Sequence, residues 1–84
     1  MMDCFITFRS VTPSQRGQSV LRQANVECLI QRTPRFMAEQ GCGYSLVLRL
    51  QDVQAAVLLL KENGVPYRKV YQKKENGNYQ EMSL

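Results

Sequence analysis

The feature that most constrains the fold is a pattern that occurs twice in the chain. In each case a strand-like segment precedes a segment with helical spacing. Residues 4–9 (CFITFR) are rich in β-branched and aromatic side chains, and residues 44–50 (YSLVLRL) alternate between two faces. A helical spacing of apolar residues comes soon after each segment, and another strand pattern follows each helix. The chain therefore predicts the element order β-α-β-β-α-β.

The first helical segment is predicted over residues 13–24. Thr12 is a suitable N-cap, Pro13 suits the first helical position, and Gln15 completes a capping-box pattern. Asn25 is a plausible residue to end the helix. Gly17 lies inside this helix, where it either permits close packing on a sheet or weakens the helix.

The second helical segment follows Asp52, which is predicted to cap it. Asn63 and Gly64 are expected to end this helix, and Pro66 prevents it from resuming. Its apolar stripe consists of Val53, Ala56, Val57, Leu59 and Leu60.

This element order favours an α+β fold, a ferredoxin-like split β-α-β sandwich with a four-stranded antiparallel sheet and two helices on one face. The other face is partly apolar, through Phe5, Leu29 and Val47, so a homo-oligomer is possible. Residues 1–72 are predicted as a single domain and residues 73–84 as a polar C-terminal tail, in which an Asn-Gly pair could turn a short hairpin. The four strands are predicted over residues 4–9, 26–31, 44–50 and 67–72.

The length and composition fit one ordinary globular domain. The chain has 84 residues, of which 44% are hydrophobic and 21% charged. No apolar run is long enough to cross a bilayer, and the first residues have no signal-peptide pattern. The three cysteines are an odd number, which argues against a disulfide framework. We therefore expect a cytoplasmic protein that does not act at a membrane.

The absence of histidine excludes several kinds of chemistry. A single chain without histidine has neither a Ser-His nor a Cys-His nucleophile pair. Its cysteines are too widely spaced for a zinc-binding pattern. We therefore expect no metal and no cofactor.

Cys42 is the main candidate for chemistry, because it lies between Gly41 and Gly43 just before the clearest strand. Only a thiolate is nucleophilic, and nearby positive charge favours it. Arg32 and Arg35 precede it in the same loop, and backbone N–H groups around the glycines could form an anion-binding nest. On the residues alone, Cys42 is either a reactive thiol or a small side chain in a glycine turn.

The other cysteines and the basic residues carry weaker signals. Cys4 and Cys28 share strand faces with isoleucines, and a buried cysteine behaves as a small hydrophobe. The net charge is +4, a mild excess that could attract an anion, an acidic partner or nucleic acid. The aromatic signature of RNA-binding sheets is missing, so we do not expect nucleic-acid binding.

Four short motifs give the chain a resemblance to a known family. They are Ile6-Thr7-Phe8 with Ser10, Thr33-Pro34-Arg35, Cys42-Gly43 and Asn63-Gly64-Val65. In this order and spacing they resemble the selenium/sulfur carrier protein-like family of small bacterial domains. The resemblance covers about residues 4–71 and leaves the tail outside.

The resemblance implies a carrier rather than an enzyme with its own turnover. It implies that Cys42 is the carrier thiol, with Arg35 and Gly43 as loop partners, and that the protein meets sulfur or selenium donor and acceptor proteins. In this chain Glu39 stands where the family has a serine-rich approach, and its charge should oppose ionisation of the thiol. The alternative is a non-catalytic interaction or regulatory module that pairs through its sheet face.

Overall fold

The computed structural model describes residues 2–33 and 43–83, which form five strands and two helices. Neither described helix has the length and apolar character needed to cross a membrane. The elements are β1 (Cys4–Phe8), α1 (Val11–Gln23), β2 (Leu29–Arg32), β3 (Tyr44–Leu48), α2 (Leu50–Glu62), β4 (Val70–Lys73) and β5 (Tyr79–Glu81).

The strands form one antiparallel sheet in the order β2-β3-β1-β4-β5. The predicted α+β class, with two helices and an antiparallel sheet, is confirmed. The predicted number of four strands is wrong, because β5 adds a fifth strand beside β4. The strand order therefore differs from that of a simple ferredoxin-like fold.

The fifth strand depends on a polar turn that the apolar pattern could not reveal. The N–H of Lys74 donates to the carbonyl of Asn78 over 2.7 Å, and the N–H of Asn78 donates to Asn76 Oδ1 over 3.0 Å. These bonds return the chain alongside β4. The rings of Tyr79 and Phe5 then meet in an edge-to-face arrangement, with 5.5 Å between ring centroids. This aromatic contact, together with Met82 packed against the main core, holds a mostly polar segment against the sheet.

The two faces of the sheet are covered differently. Cys4, Ile6 and Phe8 of β1 face the helices and are fully buried, as the alternation predicted. They pack in one core with apolar side chains of β3, α1 and α2. On the opposite face, Phe5 and Val47 form a smaller cluster with tyrosines and a methionine around it.

Gly17 allows α1 to approach the core closely. A Cβ atom at this position would lie 3.1–3.2 Å from side-chain atoms of Leu60, Leu46 and Phe8. Such distances are shorter than comfortable contacts between carbon atoms. Of the two interpretations of Gly17, close packing is the one that the structure supports.

The helices begin earlier than the sequence predicted. The N-cap of α1 is Ser10 rather than Thr12, and the N-cap of α2 is Arg49 rather than Asp52. Neither N-cap side chain makes a capping hydrogen bond. Asp52 instead lies in the first turn of α2, where its charge suits the positive end of the helix dipole.

Both helices end as predicted, and both endings have the same geometry. In α2 the N–H of Val65 donates to the carbonyl of Leu60, and the N–H of Gly64 donates to that of Lys61. This pair of bonds is the Schellman motif, with Gly64 in the left-handed conformation. α1 repeats the motif with Asn25 in the same conformation, at a φ of 62°. Two sharply ended helices return the chain to the sheet.

Candidate functional site

Three connections of the fold meet at one end of the sheet, which we call the loop end. They are the β1–α1 connection, the β2–β3 connection and the α2–β4 connection. Phe8 at the end of β1 pairs with Tyr44 at the start of β3, which also pairs with Arg32 at the end of β2. β4 runs antiparallel to β1 and begins at the same end. Residues far apart in sequence therefore become neighbours here.

The predicted site falls partly within the described residues. Cys42, Arg35 and Gly41 lie outside them. Arg32 is exposed and is the last residue of β2, and Gly43 directly precedes β3. The two described members therefore lie at the two ends of the loop that carries Cys42.

Gly43 has a steric reason to be glycine. A Cβ atom at this position would lie 2.9 Å from the carbonyl oxygen of Phe8, closer than real Cβ atoms approach such an atom. It would also lie 3.5 Å from Thr33 Oγ1. The glycine that follows Cys42 thus fits the chain against the end of β1.

Thr33 joins the two ends of the cysteine loop. Its N–H donates to the carbonyl of Gly43 over 3.0 Å. Its hydroxyl lies 2.7 Å from the hydroxyl of Ser45, which is fully buried. Because a buried hydroxyl needs a partner, this pair holds the first residue of the loop against β3. The threonine of the Thr-Pro-Arg motif therefore has a structural role at the base of the loop.

The two described cysteines are poorly suited to nucleophilic chemistry. Cys4 and Cys28 are free and buried, with 0% and 2% of their surface exposed. Burial raises the pKa of the Cys4 thiol to about 11, and the Asp3 carboxylate adds to the shift. Burial also raises the pKa of Cys28, against a smaller opposite effect of Arg22. Both thiols therefore stay protonated near neutral pH, as predicted for structural cysteines.

The loop end also gathers two arginines that no sequence motif singled out. Arg9 follows β1 directly and Arg68 precedes β4, and both line one cavity with Tyr67. Their proximity follows from the antiparallel pairing of β1 and β4. The sequence signal for this pair is a positive residue just after one strand and another just before the strand that pairs with it.

The segment that contains Arg68 is fixed to β1 through Thr7. The N–H of Arg68 donates to the Thr7 carbonyl and the N–H of Thr7 donates to the Lys69 carbonyl, both over 2.8 Å. The Thr7 hydroxyl accepts the N–H of Lys69 over 3.0 Å. Arg68 and Lys69 thus lie opposite the single residue Thr7, which is the arrangement of a β-bulge. A bulge changes the direction of the side chains on the bulged strand.

The described ranges contain no group of three or more acidic or cysteine side chains placed to hold a metal ion. What the described residues bring to the loop end is positive charge, from Arg9 and Arg68 among others.

The fold and the loop end together define a small α+β domain in which a cysteine loop joins two neighbouring strands. The chain belongs to the family described as "Putative Se/S carrier protein-like", whose model matches residues 3–72. The match includes Cys42 and both ends of its loop, and it ends before β5. The comparisons with curated proteins and with solved structures gave no match.

Proposed function

We propose that the protein is a sulfur or selenium carrier whose cargo is bound by the Cys42 thiolate. The observation that carries the proposal is the family match over residues 3–72, which includes Cys42. The burial of Cys4 and Cys28 supports the assignment, because neither competes for a donor near neutral pH.

The transfer needs a thiolate and a donor that already contains a sulfur–sulfur or sulfur–selenium bond. The Cys42 thiolate attacks the outer sulfur of a donor persulfide. A new bond forms between the two sulfur atoms, the donor's bond breaks, and the donor leaves as a thiolate. Electrons balance without an external oxidant. Delivery is the same reaction in the other direction, with an acceptor thiolate attacking the outer atom held on Cys42.

The proposal assigns roles to the rest of the predicted site. Arg35 and Arg32 would favour the thiolate through their positive charge, and Gly41 and Gly43, which carry no side chains, would accommodate the added atom. The partners are donor and acceptor proteins that present a sulfur or selenium atom. Free cysteines in the described part of the chain suit a reducing compartment, and we place the carrier in the cytoplasm.

The test is intact mass spectrometry after incubation with a small-molecule persulfide near neutral pH. Wild type and Cys4→Ser are expected to gain the mass of one sulfur atom, and Cys42→Ser is expected to gain none. Later addition of a thiol should remove the atom. An unchanged wild-type mass, or an equal gain in Cys42→Ser, would contradict the carrier assignment.

A second candidate function is an interaction module that pairs through the sheet face opposite the helices. One observation favours it: Leu29 is 55% exposed and pairs with Val47, which packs against Phe5. Apolar surface of this kind can mark a contact between proteins. If it does, Leu29→Lys should lower the apparent mass in sedimentation experiments while Cys42 still accepts sulfur. An identical mass for both proteins would contradict this candidate.

A further inference from the structure

A cavity of about 350 Å³ lies at the loop end, between the start of α1 and the α2–β4 connection. Its size falls within the range of small-molecule sites. Two of its six described lining residues are cationic and none is acidic. The lining residues are Arg9, Ser10, Pro13, Pro66, Tyr67 and Arg68.

Two prolines and a set of hydrogen bonds restrict the backbone around this cavity. Pro13 and Pro66 have restricted backbones, so they add little flexibility to the two walls. The Arg68 segment is fixed to Thr7 by the backbone and hydroxyl hydrogen bonds of the bulge. Arg9 follows the central strand of the sheet by one residue. A preorganised wall reduces the entropy that binding has to overcome.

The electrostatics of the cavity favour an anion. Arginine presents a planar fork of donors that matches oxyanions in a bidentate way. The Ser10 hydroxyl makes no capping bond to α1, and the first turn of α1 has no acidic residue. The positive end of the α1 dipole therefore adds to the charge of Arg9 and Arg68.

The cavity and the base of the cysteine loop share one residue, Phe8. The Phe8 carbonyl lies against Gly43, the residue that follows Cys42 in the chain. Arg9, which begins the cavity, is the residue after Phe8. An anion held by Arg9 therefore lies at the same end of the sheet as the cysteine loop.

We propose that this cavity binds a small divalent oxyanion and that the carrier's small-molecule donors are oxyanions with a transferable outer sulfur, of the thiosulfate class. The use of the cavity rests on the proposed function, whereas the binding of an oxyanion does not. In the transfer, the Cys42 thiolate attacks the outer sulfur of thiosulfate and the original sulfur–sulfur bond breaks. Sulfite leaves with the electron pair, and the cavity's arginines offset its charge.

The first experiment measures binding alone, with sulfate as a probe that has no sulfur to transfer. Amide chemical shifts of the ¹⁵N-labelled protein are followed as sulfate is added at constant ionic strength. We expect the largest shifts at Arg9, Ser10, Tyr67 and Arg68. Arg9→Gln should weaken sulfate binding by at least about tenfold, the loss expected for a charge-assisted hydrogen bond.

Arg16→Gln is the matched control, because it removes the same charge from the exposed face of α1 outside the cavity. It should bind sulfate as the wild type does. If both variants bound sulfate equally weakly, the loss would be explained by net charge alone, and the cavity site would be overturned. Sulfate-induced shifts that map elsewhere would overturn it as well.

The second experiment separates the cavity from the carrier function. Sulfate should slow sulfur transfer to Cys42 from thiosulfate and leave transfer from an organic persulfide that carries no oxyanion group unchanged. Transfer from the persulfide without sulfate binding would overturn the cavity proposal and leave the carrier intact. Sulfate binding that depends on Arg9, with no transfer from either donor, would support the cavity and contradict the carrier.

Discussion

The helix-covered interior of the sheet and its loop end offer a thiol opposite surroundings, apolar in the first and positively charged in the second. In the interior, Cys4 and Cys28 are sealed among apolar side chains and their pKa values are raised. At the loop end, Arg9 and Arg68 line a cavity at the same end of the sheet as the base of the cysteine loop. Burial keeps a thiol protonated and positive charge promotes its ionisation. The interior therefore suppresses thiol ionisation, and the positive charge at the loop end is of the kind that promotes it.

The strongest test of this contrast is the rate of alkylation of the three cysteines. With iodoacetamide near neutral pH, we expect Cys42 to react at least about 100-fold faster than Cys4 or Cys28, because a raised pKa and burial both lower the reactive fraction. Peptide mapping by mass spectrometry gives the three rates. In denaturant the rates should converge. Comparable alkylation rates at the three cysteines of the folded protein would contradict the contrast between the interior and the loop end.

The pH dependence of stability tests the interior alone. The pKa of the Cys4 thiol is about 11 in the folded protein and 9.0 in the unfolded chain. The contribution of the buried, protonated Cys4 thiol to the unfolding free energy is therefore complete below about pH 9. It is lost as the pH rises towards 11, because the unfolded chain releases the proton first. Between about pH 8 and about pH 10.5, wild type should lose about 2 kcal/mol more unfolding free energy than Cys4→Ala.

Urea unfolding of both proteins at each pH measures this difference. Other groups that titrate in the same range are common to wild type and Cys4→Ala, so their contributions cancel. A difference that stays constant over the whole range would show that Cys4 is not the source of the effect.

Two glycine substitutions at the loop end test its steric fit. Gly43→Ala should lower the unfolding free energy by about 2 kcal/mol, because its methyl group meets the Phe8 carbonyl. Gly64→Ala is the control, since its Cβ would meet no atom within 4 Å and only its φ of 67° opposes alanine. It should cost about 1 kcal/mol. Urea midpoints compare the two, and equal effects would argue against a close approach at Gly43.

The smallest expected effect concerns the hydroxyl pair at the base of the cysteine loop. Thr33→Val should cost about 1 kcal/mol, because the buried Ser45 hydroxyl loses the partner that lies 2.7 Å away. Adding Ser45→Ala should recover part of that loss. A double-mutant cycle built from urea midpoints gives the coupling. Strict additivity would show that the hydroxyls do not support one another.

The sequence predicted those parts of the fold that repeat in a regular pattern. The alternation in residues 4–8 and 44–48 placed the correct side chains on the helix-covered face. Asn25 and the Asn63–Gly64 pair marked both helix ends, because few residues accept the left-handed conformation that ends a helix. The starts were misplaced because no N-cap side chain bonds to either helix, so the usual signature is missing there.

The remaining differences came from contacts between distant residues. β5 depends on a polar turn and on Tyr79 packing against Phe5, and neither contact gives an apolar period. Arg9 and Arg68 share a cavity only because β1 and β4 are antiparallel neighbours. The roles of Cys42, Arg35 and Gly41 stay predictions, which the sulfur-transfer and alkylation experiments test.

The added strand β5 also changes how this sheet presents itself to other polypeptides. A strand at a sheet boundary offers unpaired N–H and C=O groups as a template for intermolecular pairing. In the described sheet β4 is enclosed on both sides, and the boundaries are β2 with four residues and β5 with three. Boundary strands this short can form few backbone hydrogen bonds with another molecule. The C-terminal hairpin therefore replaces a four-residue boundary strand, β4, with a three-residue one, which leaves fewer backbone groups open to lateral strand addition on that side.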